Sequence, residues 1–401
     1  MPSVPPDPVY TEGRIGMVCA LLAMTSVFCL TLYLPALPEI VKAMDTTDFA
    51  VKMTVTVYFC TFAFSQLVCG PLSDAFGRRP VIIGFTAITT TGAVIAACSH
   101  SIELLLISRA VQGLGAGVGN STTRAVIRDL FTGQAAARVL NLMILMVGVG
   151  PTFAPMIGGV VVASFGWRAV LILGASYTVV VLLIVMIFLP ETNTNKALHA
   201  LRTRKILHNY WHAFSHPSFV RPGFTAALTS GVMPLFPTML PFILIDQFKL
   251  SVADFGLIMG LHAAVFVLGA SATRFALRHM SSGELVPIGL GFYLASGIAM
   301  VIVLLTFPLS LWAVFIPVCT MTFCVPVMQP GLQSEAIAEF GPTAGVVASL
   351  IGFMQMFFAF IGTTTASLFA NPSMGLTIVG FTMSAAAVTV YLRLRSEPVI
   401  P

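Results

Sequence analysis

The feature that most constrains this chain is a succession of long apolar runs. A run of about 20 apolar residues crosses the hydrocarbon of a bilayer at 1.5 Å per residue. Twelve can be read, over 16–38, 52–72, 80–98, 103–125, 138–162, 168–189, 221–244, 255–276, 284–306, 309–330, 342–369 and 374–392. In lipid a backbone must satisfy its own polar groups, so such runs predict helices. Composition agrees: 57% of residues are apolar, 9% are charged, and mean hydropathy is +0.96. A soluble chain carries roughly a quarter charged residues. The expectation is an all-α integral membrane protein of twelve transmembrane helices, with the lipid bilayer as its surroundings. The net charge of +5 does not point to nucleic acid, because the bases are not clustered on any polar face.

One long polar segment, 191–217, divides the runs six and six. It holds Lys196, Arg202, Arg204, Lys205 and four histidines. The expected organisation is a tail over 1–13, a six-helix bundle over 14–190, the linker over 191–217, a second bundle over 218–393 and a tail over 394–401. Residues 1–13 lack the basic region and cleavage site of a signal peptide, so the first span is expected to be retained. All seven cysteines fall within apolar runs without metal-type spacing and read as packing residues.

Lys and Arg give the orientation. With the N-terminus inside, the inner loops and ends receive fifteen of them and the outer loops only Lys42, Lys52, Arg168 and Lys249. This is a strong positive-inside bias, predicting both termini and the linker in the cytoplasm. The halves also echo each other. Gly70-Pro-Leu-Ser-Asp-Ala-Phe-Gly-Arg-Arg79 after span 2 and Gly269-Ala-Ser-Ala-Thr-Arg-Phe-Ala-Leu-Arg278 after span 8 share Gly, Phe and the final Arg at an offset of 199. Duplicated six-helix units are frequent among transporters, with the substrate site between the halves.

The segment from Gly70 to Pro80 is short and charged. Gly70 and Gly77 are expected to permit a tight reversal between two membrane helices. Asp74 can sit near a helix N-terminus or pair with an Arg of a neighbouring hairpin, while Arg78 and Arg79 anchor the start of span 3. Two readings stand side by side: a basic turn that fixes topology, or an ionic latch that holds one conformation closed. Arg109 lies within span 4, where an Arg costs about 2.5–3.5 kcal/mol on insertion scales, so it is expected to face the bundle interior. Gln112 lies one turn on along the same face. In span 5, Gly148, Pro151, Pro155 and Gly159 form one stripe, suited to close helix contact and bending. Gly113, Gly115, Gly117 and Gly119 of span 4 read as ordinary close packing.

These segments, in this order, resemble the major facilitator superfamily. The Gly70–Pro80 segment is similar to its signature loop. Span 1 ends in Tyr33-Leu-Pro-Ala-Leu-Pro38, span 4 carries Arg109-Ala-Val-Gln-Gly113, span 5 carries Gly148-Val-Gly-Pro-Thr-Phe-Ala-Pro-Met-Ile-Gly-Gly159, and Gly166-Trp-Arg168 opens span 6. Together they resemble the bicyclomycin- and chloramphenicol-resistance branch of the drug:proton antiporters, most densely over residues 31–168. The resemblance implies two six-helix pseudo-repeats in an inner membrane and export of small amphipathic drugs or metabolites by alternating access. It implies a proton gradient rather than a bound cofactor; a monomer is the expected working unit. Arg109 then takes a role in proton coupling, and Gly148, Pro151, Pro155, Gly158 and Gly159 form the antiporter-type helix contact.

Two departures bear on coupling. The branch carries an Asp two residues before the Tyr-Leu-Pro-Ala of span 1, and here that position is Thr31; Ala75 stands where a basic residue is usual. None of the fifteen carboxylates falls clearly at mid-membrane. His262, in span 8, is the other side chain within a span whose reference pKa, about 6.5, falls in the working range; a hydrogen-bonded packing role is its plainer reading. Thr31, Tyr33, Tyr58, Phe62, Gln66, Asn120, Asn141, Gln329 and Gln355 are polar or aromatic groups expected to line a substrate cavity. No nucleotide-binding glycine loop, metal cluster or acid/base pair suggests an enzyme. A dedicated exporter of an endogenous metabolite such as a siderophore or nucleoside, an uncoupled facilitator, and a non-transporting receptor or scaffold remain the alternatives.

Overall fold

The computed structural model describes residues 12–193, 203–306, 310–340 and 344–394, and among them all regular structure is helical. We number the spans α1 (Glu12–Ala43), α2 (Asp48–Phe76), α3 (Arg78–Ala97), α4 (102–130), α5 (Gly133–Phe165) and α6 (Trp167–Phe188). A linker helix, Thr203–Ser215, leads into α7 (Pro217–Gln247), α8 (Val252–Ala276), α9 (Ser282–Thr306), α10 (Leu311–Ile337), α11 (Ala344–Ser367) and α12 (Pro372–Arg393). Ten of these are each long and apolar enough to cross a membrane. Of the other two, α4 is divided into Ile102–Ala116 and Val118–Leu130, and α5 runs for 33 residues, about 50 Å at the helical rise.

The two ends of the bundle are built from different chemistry. At the end where the even-numbered helices begin, Thr47, Ser101, Ser251, Ser310 and Asn371 each cap a helix by accepting from a backbone N–H in its first turn. We call this the capped face. The opposite, basic face carries the ion pairs Arg78–Asp74, Arg78–Asp129, Arg138–Glu12 and Arg221–Glu335.

The pairings of the first six helices recur in the second six. α1 packs on α5 and α6, α2 on α4, and α3 on α4 and α6; α7 packs on α11 and α12, α8 on α10, and α9 on α10 and α12. The halves meet along two long seams, α2 with α11 and α5 with α8, which exchange under the same shift of six.

Two local expectations are corrected. The Gly70–Pro80 segment is not a loop, because α2 continues to Phe76 and α3 starts at Arg78. Gly77 alone makes the reversal, at φ +109°, in a region that side chains avoid. Gly70 sits within α2, facing Ser349 of α11. Pro71 lies inside α2 and leaves the carbonyl of Leu67, four residues earlier, without its helical donor. The Tyr210 hydroxyl of the linker helix donates to that carbonyl at 3.0 Å. The second correction concerns span 4, which is interrupted at Gly117. There Ser65 of α2 donates to the carbonyl of Leu114 at 2.6 Å and Cys69 to that of Gly117 at 3.3 Å. Side chains entering the hydrogen-bond ladder in this way are a recognised cause of a broken helix.

Candidate functional site

Arg109 lies two turns into α4 from its Ser101 cap, about 12 Å deep at 1.5 Å per residue. It is 2% exposed. Glycines on both sides make room for it. A Cβ on Gly113 would strike Tyr58 and Thr61 of α2, and one on Gly92 would strike the backbone of α4 at Gln112. The guanidinium stacks on the Tyr33 ring, 3.7 Å from its centroid, and Nη1 donates to Gln112 Oε1 at 2.6 Å. Among the described residues, Nε and Nη2 meet no acceptor in hydrogen-bonding geometry. The Tyr33 hydroxyl is engaged with Thr54 Oγ1 at 2.9 Å, and the Tyr58 hydroxyl donates to the Ser26 carbonyl at 2.9 Å. Tyr33 and Tyr58, read from sequence as cavity residues, are 1% exposed and close this nest inside the first half. Phe62 packs edge-on against Tyr58, with ring centroids 5.9 Å apart.

Thr31 is buried and donates to the carbonyls of Val27 and Phe28 in its own helix. Cys29 and Tyr33, four residues apart, line a small pocket beside Arg109. At about 100° per residue, position 31 points to the other side of α1. Thr31 is therefore not directed at Arg109.

At the basic face, Arg78 is the hub of a network within the first half. Its Nη1 meets Asp74 Oδ1 at 2.5 Å and Ser73 Oγ at 2.7 Å, and its Nε meets Asp129 Oδ2 at 3.1 Å. Its backbone N–H donates to Glu191 Oε1 at 2.9 Å, and the Glu191 carboxylate occupies the place a Cβ on Gly77 would need. Asn193 Nδ2 donates to the carbonyls of Ser73 and Asp74. Arg79 donates to the Met186 carbonyl at 2.8 Å. The ends of α2, α3, α4 and α6 are thus tied together. Sequence reasoning singled out Asp74, Arg78 and Arg79 but missed Asp129 and Glu191, which lie 51 and 113 residues from Arg78 and share no motif with it.

The seams between the halves are close. A Cβ on Gly159 of α5 would meet the Val252 carbonyl of α8, and one on Gly256 would come within 3.0 Å of the Pro155 carbonyl. Gly158 faces the other way, against Leu32 and Pro35 of α1. The glycines at the end of the predicted stripe therefore serve two partners, one of them across the seam. Gly148, Pro151, Asn120 and Asn141 lie outside the residues whose side-chain surroundings are described. Along the other seam, Thr56 Oγ1 donates to Thr363 Oγ1 at 3.1 Å and Gln66 Nε2 to the Gly352 carbonyl at 3.5 Å. Near the capped face, the Lys52 ammonium of α2 lies 4.4 Å from the centroid of Phe242 in α7.

Next to that seam, Gln329 and Gln355 do come together. Gln355 Nε2 donates to Gln329 Oε1 and to Ser230 Oγ, each at 3.3 Å, and Gln329 Nε2 donates to the Ala226 carbonyl at 3.0 Å. Gln333, one turn beyond Gln329, joins at 2.9 Å. Its i, i+4 spacing on span 10 was a signal that sequence reasoning passed over. Partly exposed Phe353, Met356 and Phe357 of α11 flank the cluster in sequence, with Phe353 and Phe357 stacked at 5.5 Å. His262 stands apart in the second half, buried, bonded through Nε2 to Thr322 Oγ1 at 2.7 Å, with the Phe236 ring edge-on to it and the Phe315 ring tilted beside it. The structure brings Arg109 and Gln112 together and leaves His262 elsewhere.

The chain is 26% identical over 373 residues to a bicyclomycin resistance protein homolog of Haemophilus influenzae, covering 93% of both chains. It is 24% identical over 330 residues to the multidrug resistance protein MdtL of Shewanella oneidensis, covering 81% of each. Among solved structures, the human organic anion transporter MFSD10 superposes with a TM-score of 0.68 at 19% identity, over 96% of this chain and all of that one. A D-xylose-proton symporter gives 0.70 at 11% identity, over 96% and 98%. Residues 19–363 match the Major Facilitator Superfamily, and the chain belongs to that family, in keeping with the repeated pairings and two exchanging seams among its described helices.

Proposed function

We propose that this protein is a secondary active transporter that exports small amphipathic drugs or metabolites by alternating access, in exchange for protons. The observation that carries the reading is the pair of seams, α2 with α11 and α5 with α8, flanked by a polar and aromatic cluster at Gln329, Gln333, Gln355 and Phe357. Two halves joined by glycine-to-backbone contacts can rock about them, opening one end while closing the other. The Lys52–Phe242 and Thr56–Thr363 contacts are then broken when the capped face opens. The Arg78 hub is the ionic latch, keeping the ends of the first half aligned so that they move as one body.

The names of the relatives support drugs as substrates. The family resemblance, with a buried Arg109 between Tyr33 and Gln112, supports coupling to protons. Arg109 holds its own charge at ordinary pH, so its part is to act on a neighbouring group or on an anionic substrate. The basic face is assigned to the cytoplasm, with both termini there and the chain in the inner membrane, from the fifteen-to-four distribution of Lys and Arg. The working unit is a monomer. Transport in proteoliposomes with an imposed pH gradient, over a small panel of cationic and neutral drugs, tests the reading. Uphill accumulation that collapses with the gradient supports it. Transport that only equilibrates substrate makes the protein a facilitator, the outcome that Thr31, bonded within its own helix, would explain.

A further inference from the structure

The Arg109 nest carries an unbalanced charge. A guanidinium has five N–H donors and no acceptor. Here it is 2% exposed, one nitrogen is paired with Gln112, and among the described residues Nε and Nη2 have no acceptor in hydrogen-bonding geometry. The groups that act on it electrostatically are Tyr33, Cys29 and Tyr58, the Tyr33 hydroxyl lying close by but outside the geometry of a well-formed bond, and among the described residues no carboxylate joins them. Tyr33 and Gln112 offer a π-face and a neutral carbonyl, which soften the charge without cancelling it. A buried cation lacking a counter-charge is among the most costly arrangements in a protein interior.

Beside the guanidinium is a pocket lined by Cys29, Tyr33, Gln112, Ala93, Val170 and Gly174, among others. It leaves about 10 Å³ for the centre of a water-sized sphere, so it admits one small species. Its alanine, valine and glycine walls come from α3 and α6 and supply no side-chain acceptor. We propose that this pocket binds a small monovalent anion of the size of chloride as the counter-ion of Arg109. A carboxylate- or phosphate-bearing molecule is too large for it. Water fits the space but leaves the charge uncancelled, whereas a halide accepts from the free N–H groups and is held more strongly by the apolar walls. The inference stands independently of any part Arg109 plays in proton coupling, and it predicts a chloride requirement for the stability of the first half.

The test is thermal unfolding of the purified full-length protein in sodium chloride, sodium bromide and sodium gluconate at constant ionic strength. The expected result is a saturable rise in Tm with chloride and bromide and none with gluconate. Arg109→Gln removes the charge and should abolish the halide response. Gly174→Val adds bulk at a residue that lines the pocket and leaves Arg109 in place; a Cβ at 174 meets nothing nearer than Leu32, 3.9 Å away. This variant should also lose the response, and it decides the matter if Arg109→Gln does not fold. An equal Tm in chloride and gluconate overturns the proposal, as does a halide response that survives in Gly174→Val.

Discussion

Asp129 and Asp74 both hold Arg78, yet the structure assigns them unequal weight. The Arg78 side chain is 8% exposed, that of Asp129 is 21% exposed and that of Asp74 is 50% exposed. Breaking a fully buried ion pair costs about 3–5 kcal/mol, and an exposed i, i+4 helix pair is worth about 0.3–0.5 kcal/mol. Asp129→Asn keeps the shape of the side chain but leaves a mostly buried Arg facing a neutral amide. It also changes the group that accepts from Thr192 Oγ1 at 3.3 Å. Discounted for the remaining exposure, its cost to the packing of the first half is about 2 kcal/mol. Asp74→Asn leaves Arg78 on Asp129 and Ser73 and should cost about 0.5–1 kcal/mol. The assay is spin-label distance between Phe76 and Glu339, exposed on the basic face in different halves, in a background without the seven cysteines. Asp129→Asn should broaden or shift the distance distribution and slow transport several-fold, with Asp74→Asn intermediate between it and the parent. Equal effects, or a larger one for Asp74→Asn, would refute the argument that burial sets the strength of the latch.

Three further outcomes follow from the geometry. Arg109→Lys loses the planar stack on Tyr33, worth about 2 kcal/mol in a desolvated site, and should cut gradient-driven transport at least tenfold at equal membrane abundance; unchanged uptake would remove Arg109 from the mechanism. Gly159→Leu places a side chain against the Val252 carbonyl and should stop transport by splaying α5 from α8. Gly283→Ala, with nothing within 4 Å, is the silent control, and equal activity of the two would show that the seam tolerates opening. Tyr210→Phe strands the Leu67 carbonyl that Pro71 leaves free and should lower stability by about 1 kcal/mol in a thermal melt. Adding Pro71→Ala should restore it, since α2 then supplies its own donor; no recovery would mean that Tyr210 acts through another contact.

The architecture was legible because lipid leaves a chain so few choices. The apolar runs fell on all ten helices that are long and apolar enough to cross a membrane, and those read as spans 4 and 5 fell on α4 and α5; the helices outrun the predicted segments mainly at polar ends, as where Asp48 opens α2 and Arg128 lies near the close of α4. The capped face could also have been read in advance, since Thr47, Ser101, Ser251, Ser310 and Asn371 each stand at the start of a run that leaves the same side. What misled was treating Gly70 to Pro80 as a loop. Its charges suggested water, but helix α2 carries Asp74 out to the basic face and needs only one residue, Gly77, to turn.

The candidate site was legible by type and not by partner. An Arg within an apolar run announces itself through its insertion cost, and the same inventory showed no carboxylate placed to meet it. The residues that shape its pocket do not announce themselves. Ala93, Ala96, Gly174 and Ala175 differ in no visible way from the small residues that pack any pair of membrane helices. Their meaning depends on which helices α4 touches, and that was fixed by glycines: Gly113 against α2, Gly115 against Phe85 and Thr89 of α3, Gly119 against Leu22 of α1. The glycines read from sequence as ordinary packing are therefore what draws three helices around Arg109 and buries it. Adding a side chain at Gly115 should accordingly disturb the Arg109 nest without touching any residue in it. Gly115→Val is expected to lower transport and weaken the halide response together, because it forces α4 away from the backbone of α3. If Gly115→Val transports normally, close packing along α4 does not set the geometry of Arg109, and the nest must be held by Tyr33 and Gln112 alone.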